Sequence, residues 1–380
     1  MLDLPLKVIL TEEGASHFIS HHKKLMRFRL ADNVEEYGIT LSKFAPLSLQ
    51  RMFLLDYVSK IEISLPEFVS SRQEIMDLSK LVVYSLLYKQ FDREIQTVLL
   101  DTDVIRKHNR ANPSQLFDEK TKISESLLHS VMANKTAVID TVRNYILEPI
   151  NQGIIANKQL TPEEKNITLL MVEKFLNRLS LFNWYIIVLF MKNPGFPEMV
   201  SGIRKKLNQY VEKSKVAEYI SLMIMELALN SENANMRKEA KVMYRGMPDS
   251  DMVIYDPDIR QKIIEELTRK HELVFISWKL GGGATAIGKQ GKLQITLYNK
   301  DDEFQEFKEN IEIKKNANLN KKTLIDFYRE LPEGQEGTDL GLYYLSYLDE
   351  ACKNVNVKFD SRVNQFSSSD LTVITLSFNF

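Results

Sequence analysis

The sequence predicts an α+β protein, with a helical N-terminal region followed by a C-terminal α/β sandwich. Glycine is unevenly distributed, since eight of the fourteen glycines lie within residues 281–341. The front half instead carries apolar residues at helical spacing, up to the proline-containing break at residues 192–197. Behind that break, the run from Leu293 to Asn299 alternates apolar and polar residues, as a strand does. Helix-rich and strand-rich regions are therefore expected in different halves.

The predicted domains follow the same division. Residues 1–115 are expected to form a helical N-terminal domain, residues 116–198 a helical hairpin that serves dimerisation, and residues 199–380 the α/β domain. In the front half, short strands are considered only at Leu2–Leu10 and Gly38–Leu41. Helical periodicity predicts front-half helices at Arg51–Ile63, Arg72–Phe91, Glu94–Asn109, Ser124–Ile150 and Pro162–Met191.

Composition limits the function classes. With 380 residues, of which 44% are hydrophobic, the chain can build more than one core. Its 50 basic and 51 acidic residues give a net charge of -1, which argues against broad binding to nucleic acid or to membrane surfaces. A single cysteine, Cys352, excludes a disulfide framework, and the N-terminus lacks the pattern of a secretory signal. No apolar run is long enough to span a bilayer, so a cytoplasmic protein is expected.

The first candidate site lies on a predicted helix, Tyr219–Asn235. Glu226 and Asn230 are four positions apart, which places both side chains on one helix face. A carboxamide oxygen can coordinate Mg²⁺, and a carboxylate can hold or deprotonate a water or hydroxyl group. The pair is therefore suited to a metal-nucleotide site, although a polar edge on a half-buried helix has the same pattern.

The second candidate site is a glycine-rich turn in front of a predicted helix, Tyr343–Cys352. Gly334, Gly337 and Gly341 allow the backbone to approach phosphates closely. The N-terminus of the following helix offers unpaired N–H groups and a positive dipole end to an anion. A tight loop that merely caps the helix is the alternative.

Together these motifs resemble the nucleotide-binding domain shared by gyrase, the ninety-kilodalton heat-shock chaperone, histidine kinases and MutL. Glu226-Leu-Ala-Leu-Asn230 is similar to the first motif of that superfamily, and Gly337-Thr-Asp-Leu-Gly341-Leu342 to its last. Two strands after the first motif, and a helix with two strands after the second, fit its order of elements. The resemblance covers roughly residues 205–380.

The resemblance implies a histidine-kinase-like ATPase domain that binds ATP and Mg²⁺. Glu226 would be the catalytic base, Asn230 would hold the Mg²⁺ ion, and Asn299 would face adenine. The full set of implied ATP contacts is Asn230, Asn233, Asn299, Asp301, Gly334, Gly337, Thr338, Gly341 and Leu342.

Two departures from the motifs bear on activity. Asn299 stands where the superfamily has an aspartate that binds adenine, and it still offers an amide oxygen. Asp339 replaces the middle glycine of the last motif and adds a negative charge beside the expected phosphates. The segment with a predicted helix at Leu319–Glu330 resembles the corresponding segment of small bacterial serine kinases. Those kinases phosphorylate a partner switch protein. Such a kinase is the expected function, and a non-catalytic pseudokinase scaffold is an alternative.

A second enzymatic alternative is a soluble histidine kinase. The predicted helix pair within Ser124–Met191 resembles the hairpin through which histidine kinases dimerise, and His129 stands where their phosphoacceptor lies. This interpretation implies a homodimer whose partner is a response regulator. A histidine on a helical hairpin is more often a packed or solvated residue.

Overall fold

The computed structural model describes residues 2–29, 35–121, 123–245, 255–281, 291–299, 319–331, 338–366 and 371–380. The chain divides into two compact units: Met1–Ser85 joined with Val216–Phe380, and Leu86–Lys215. Helices and strands are both abundant, which confirms the α+β class.

The first unit contains a nine-stranded sheet with the strand order β2-β3-β1-β4-β5-β6-β9-β8-β7. Every neighbouring pair is antiparallel. The strands are β1 (Leu2–Leu10), β2 (Met26–Arg29), β3 (Glu35–Phe44), β4 (Val58–Leu65), β5 (Val274–Gly281), β6 (Lys292–Asn299), β7 (Leu319–Lys322), β8 (Lys358–Phe366) and β9 (Leu371–Asn379).

The helices of this unit are α1 (Glu12–Ser20), α2 (Pro46–Leu54), the start of α3 (Arg72–Leu100), α10 (Val216–Met243), α11 (Pro257–Arg269), α12 (Leu324–Glu330) and α13 (Thr338–Asn354). Helix α10 packs against β5 and β6, whereas α12 and α13 pack against β8 and against each other.

The sheet has an apolar face and a polar face because successive side chains of a strand point to opposite sides. One cross-strand row is made of Ile61, Trp278, Ile295 and Leu376, all of them buried. The next row is Glu62, Ser277, Thr296 and Thr375. The apolar rows form the core.

The N-terminal region is not the helical domain that the sequence predicts over residues 1–115. Residues 2–65 contain four strands that extend the C-terminal sheet through the pairing of β4 with β5. The predicted helix Arg51–Ile63 ends at Leu54, and its second half is strand β4. Ile61 and Ile63 occupy alternate positions in a segment that contains β-branched residues. Strand pairing on both edges of this segment outweighs its local helical propensity.

The second unit consists of helices. After the remainder of α3 come α4 (Asp103–Ala111), α5 (Glu125–Met132), α6 (Thr136–Ala156), α7 (Pro162–Asn177), α8 (Leu181–Leu189) and α9 (Phe196–Ser214). The predicted boundary at 198/199 therefore falls inside α9, and the unit ends at Lys215 instead.

The predicted helix Pro162–Met191 is two helices, separated at Ser180. The Ser180 side chain caps α8 by accepting a hydrogen bond from the backbone N–H of Asn183. The Asp92 carboxylate accepts from the Ser180 N–H at 2.7 Å and from the Asn183 amide at 2.7 Å. This cap starts a new helix where periodicity alone predicts continuation.

Helix α6 continues through Pro149, which has no N–H to donate to the carbonyl of Tyr145. The side chain of Arg204, on α9, donates to that carbonyl and to the carbonyl of Ile146. Arg204 thereby satisfies backbone oxygens that a proline disturbs inside a helix.

Helices α6 and α7 pack against each other as the expected hairpin. Ile155, Ile167 and Leu170 are more than half exposed on it. Dimerisation through this hairpin stays a prediction. Among the described residues, no helix is long and apolar enough to cross a membrane.

Candidate functional site

The candidate site lies where helix α10 meets helix α13, so the structure brings the two sequence motifs together. Tyr219 of α10 stacks on Tyr347 of α13, with ring centroids 6.1 Å apart and an angle of 9° between the planes. Further along α10, Glu226 and Asn230 lie near Tyr328 of α12, and Tyr328 packs on Gly341 at the start of α13.

Glu226 is buried, with 8% of its surface exposed. Burial raises the pKa of its carboxyl group, while the Asn230 hydrogen bond and the charge of Arg72 oppose that shift. A carboxylate held with a raised pKa is suited to accept a proton near neutral pH. The environment of Glu226 therefore fits the base that the motif implies.

Asn230 is half-buried, and its Nδ2 donates to Oε1 of Glu226 at 3.3 Å. This bond confirms that the two side chains share one helix face. It uses the amide nitrogen, so the amide oxygen of Asn230 is the atom that a Mg²⁺ ion would coordinate.

Tyr328 forms the third side of the site. The residue is fully buried, and burial and then the Glu226 carboxylate raise the pKa of its hydroxyl, with Asn230 opposing. Asn230 is the hydrogen-bonding side chain beside this hydroxyl, but the contact does not have full hydrogen-bond geometry. The hydroxyl therefore faces the two polar residues of the first motif.

The sequence did not single out Tyr328 for a role. It falls in a segment predicted as one helix, Leu319–Glu330, whose first four residues are instead strand β7 paired with β8. Helix α12 begins only after Thr323, whose hydroxyl caps it. Leu324 and Tyr328, four positions apart, form its buried face.

The remaining predicted ATP contacts are placed in part. Asn233 is half-buried on the same face of α10 as Asn230, and Leu342 is half-buried on α13. Asn299 ends strand β6 and Thr338 begins α13, but their side chains are not among those described. Asp301, Gly334 and Gly337 lie outside the described residues.

A second buried carboxylate, Glu232, was missed by the sequence analysis. It has no exposed surface and forms an ion pair with Arg260 of α11. Its Oε2 accepts the backbone N–H of Phe68 at 2.6 Å, and Glu67 lies 3.4 Å from Arg260. Glu232 therefore ties α10 to the chain that follows β4. No local pattern predicts it, since its partners are distant in sequence.

His129 is exposed on the short helix α5. The predicted helix Ser124–Ile150 breaks between Met132 and Thr136, so this histidine is not on the α6–α7 hairpin. Its assignment as a phosphoacceptor stays a prediction.

Comparison with known proteins places the chain in a family. A family described as "Family of unknown function (DUF8084)" matches residues 1–380. The chain belongs to this family. It is 41% identical over 381 residues to an uncharacterized protein of Treponema pallidum (strain Nichols), and the match covers 100% of this chain and 98% of the relative. No solved structure matches it significantly.

Proposed function

We propose that the protein binds ATP with Mg²⁺ and is a signalling kinase that transfers the γ-phosphate to a serine of a partner protein. In this proposal the C-terminal part of the first unit is a sandwich of the histidine-kinase-like ATPase type. Glu226 orients or deprotonates the acceptor hydroxyl, and Asn230 contributes an oxygen to Mg²⁺.

One observation carries the proposal: Glu226, Asn230 and Gly341 converge around Tyr328, although they come from two different helices. The motifs that carry them lie far apart in sequence, and nothing in a helix pair packed only for stability requires a buried acid and amide beside a glycine. The convergence is what a nucleotide site assembled from both motifs needs.

The order of elements gives further support. Helix α10 is followed by α11, by the neighbouring strands β5 and β6, and then by α13, β8 and β9. The resemblance implies such an order for the ATPase domain. The four strands at the N-terminus are an addition to that order.

The donor atoms also fit the metal. Among the described residues, no group of three or more His, Cys, Asp or Glu side chains could hold a metal ion. Mg²⁺ commonly takes few protein ligands and completes its shell with phosphate oxygens and water. The Asn230 amide oxygen would therefore act together with the phosphates of the nucleotide.

Calorimetric titration of ATP, with and without Mg²⁺, tests the binding half of the proposal. We expect Mg²⁺-dependent binding that Asn230→Ala abolishes while leaving the melting temperature of the empty protein nearly unchanged. Asn166→Ala, the same change at an exposed position of α7, is the control and should bind as the wild type does. Equal binding by Asn230→Ala and the wild type would remove Asn230 from the site.

The catalytic half is tested with Glu226→Gln, which keeps the size of the side chain and its hydrogen-bonding ability. We expect this variant to retain ATP affinity and to lose transfer of labelled phosphate to the partner serine. Normal transfer by Glu226→Gln would exclude Glu226 from the chemistry.

A scaffold without catalysis is the second candidate, and one observation favours it. The Tyr328 ring occupies the space between the two motifs, and Asp339 adds an exposed negative charge at the start of α13. This candidate predicts that no ATP binds at roughly millimolar concentration, with or without Mg²⁺.

A further inference from the structure

Tyr328 packs on Gly341, at the position that a Cβ atom would occupy. A Cβ atom built on Gly341 would overlap ring atoms Cε1 and Cζ of Tyr328 and would lie 2.8 Å from its hydroxyl oxygen. The tyrosine ring therefore already fills the space that is left because Gly341 has no side chain. A phosphate and this ring cannot share the same side of the glycine.

The other edge of the ring faces the first motif. The Tyr328 hydroxyl is buried and lies beside Glu226 and Asn230, which both act on it. The tyrosine thus spans from the glycine of the second motif to the acid and amide of the first. Under the proposed function, the γ-phosphate and its Mg²⁺ would lie between these same residues.

Helix α12 holds the tyrosine in that place. Leu324, one turn earlier, is fully buried, and the Thr323 hydroxyl donates to the Asp326 carboxylate at 2.6 Å in the first turn. Lys322 forms an ion pair with Glu330 across the length of the helix. The helix therefore has its own stabilising contacts and presents Tyr328 from a defined position.

We propose that Tyr328 is an autoinhibitory residue that occupies the phosphate end of the nucleotide site, so that ATP binds only when α12 withdraws the ring. This regulation rests on the proposed function. The state described here is the closed one, and the apparent ATP affinity is the intrinsic affinity multiplied by the fraction of molecules in the open state.

The test is calorimetric titration of Mg²⁺-ATP into the full-length wild type, Tyr328→Ala, Tyr328→Leu and Phe327→Ala. Tyr328→Leu keeps an apolar side chain beside Leu324, so it remains informative where the cavity left by alanine impairs folding. Phe327→Ala removes the neighbouring ring of the same helix and is the matched control. We expect both Tyr328 variants to bind roughly tenfold or more tightly than the wild type, and Phe327→Ala to bind as the wild type does.

The outcomes separate this proposal from the function on which it rests. Binding by the wild type that neither Tyr328 variant improves would overturn the autoinhibition and leave the nucleotide site standing. Binding by the Tyr328 variants and not by the wild type supports both proposals. Failure of all four proteins to bind overturns both and leaves the scaffold.

A nucleotide-free measurement checks the contact itself. Gly341→Ala should lower the melting temperature of the wild type, because its methyl group overlaps the ring, and should lower it much less in the Tyr328→Ala background. Equal losses in the two backgrounds would show that the ring does not lie on Gly341 in solution, and the autoinhibition would fall.

Discussion

Two buried carboxylates on helix α10 differ in how the protein compensates them. Glu232 is paired with the Arg260 guanidinium and accepts the Phe68 N–H. Glu226 accepts a hydrogen bond from the Asn230 amide, and the charge of Arg72 also acts on it. Burial raises the pKa of both carboxyl groups.

Under the proposed function, the difference separates a structural acid from a catalytic one. A buried charge is costly unless it is paired and hydrogen-bonded, so a fold that needs a carboxylate for stability surrounds it as Glu232 is surrounded. Glu226 has weaker compensation in a place where two sequence motifs meet. Such an environment suits a group that takes part in chemistry, and the two carboxylates of one helix can be tested against each other.

The largest effect is expected at Glu232. Glu232→Ala leaves the Phe68 N–H without its partner and leaves Arg260 with Glu67, which should lower the free energy of unfolding by about 3 kcal/mol. Glu218→Ala is the control on the same helix, because Glu218 is half exposed in its ion pair with Lys80. That variant should lose at most about 1 kcal/mol. Urea unfolding of both proteins measures the difference, and equal losses would contradict a structural role specific to Glu232.

A smaller effect is expected from two buried tyrosines. The Tyr328 hydroxyl lies beside the Asn230 amide without full hydrogen-bond geometry, whereas the Tyr210 hydroxyl donates to Oε1 of Glu94 at 2.7 Å. Tyr328→Phe should therefore change the free energy of unfolding by less than about 0.5 kcal/mol, and Tyr210→Phe should lower it by roughly 1.5 kcal/mol.

A smaller loss in Tyr328→Phe than in Tyr210→Phe, measured by thermal or urea unfolding, would support a weakly bonded polar site around Glu226. Comparable losses would show that the Tyr328 hydroxyl has a strong hydrogen bond in solution, and the contrast between the surroundings of Glu226 and Glu232 would weaken.

The sequence predicts that Glu226 and Asn230 lie together, but it does not predict the partners of Glu232. The spacing of Glu226 and Asn230 is local and fixes their shared helix face, which the hydrogen bond between them confirms. The partners of Glu232 come from the chain after β4 and from α11, so only the tertiary fold brings them together.

The same distinction explains the sheet. Strand β6 is predicted from the alternation within its own segment. The pairing of β4 with β5 joins residues on either side of the whole second unit, and no local pattern specifies such a contact. Tyr328 likewise acquires a role only because α12 places it between two motifs that lie apart in sequence.

Glu226→Gln should change the free energy of unfolding by less than about 1 kcal/mol. The sign of this difference from the wild type should depend on pH. Because the folded-state pKa of Glu226 is raised, the folded protein binds more protons than the unfolded chain once pH exceeds the ordinary glutamate range. The wild type should therefore lose stability relative to Glu226→Gln as pH rises from that range through the raised pKa. Unfolding of both proteins across this pH series measures it. A wild type that gains stability on the variant with rising pH would mean that the folded-state pKa of Glu226 is lowered, not raised, and that its charged form is favoured by the fold.

The smallest effect concerns Arg72, a cation that acts on Glu226. Arg72 is exposed and lowers the pKa of Glu226, so Arg72→Ala should move that pKa further up, as followed by carbon NMR of the Glu226 carboxyl group. Because the arginine is solvated, the shift between wild type and variant should shrink at high salt. Arg106→Ala, which removes an exposed arginine that is not among the groups acting on Glu226, should leave the titration unchanged. A large, salt-independent shift in Arg72→Ala would instead reveal a close ion pair, and Glu226 would then be a compensated acid like its neighbour on the same helix.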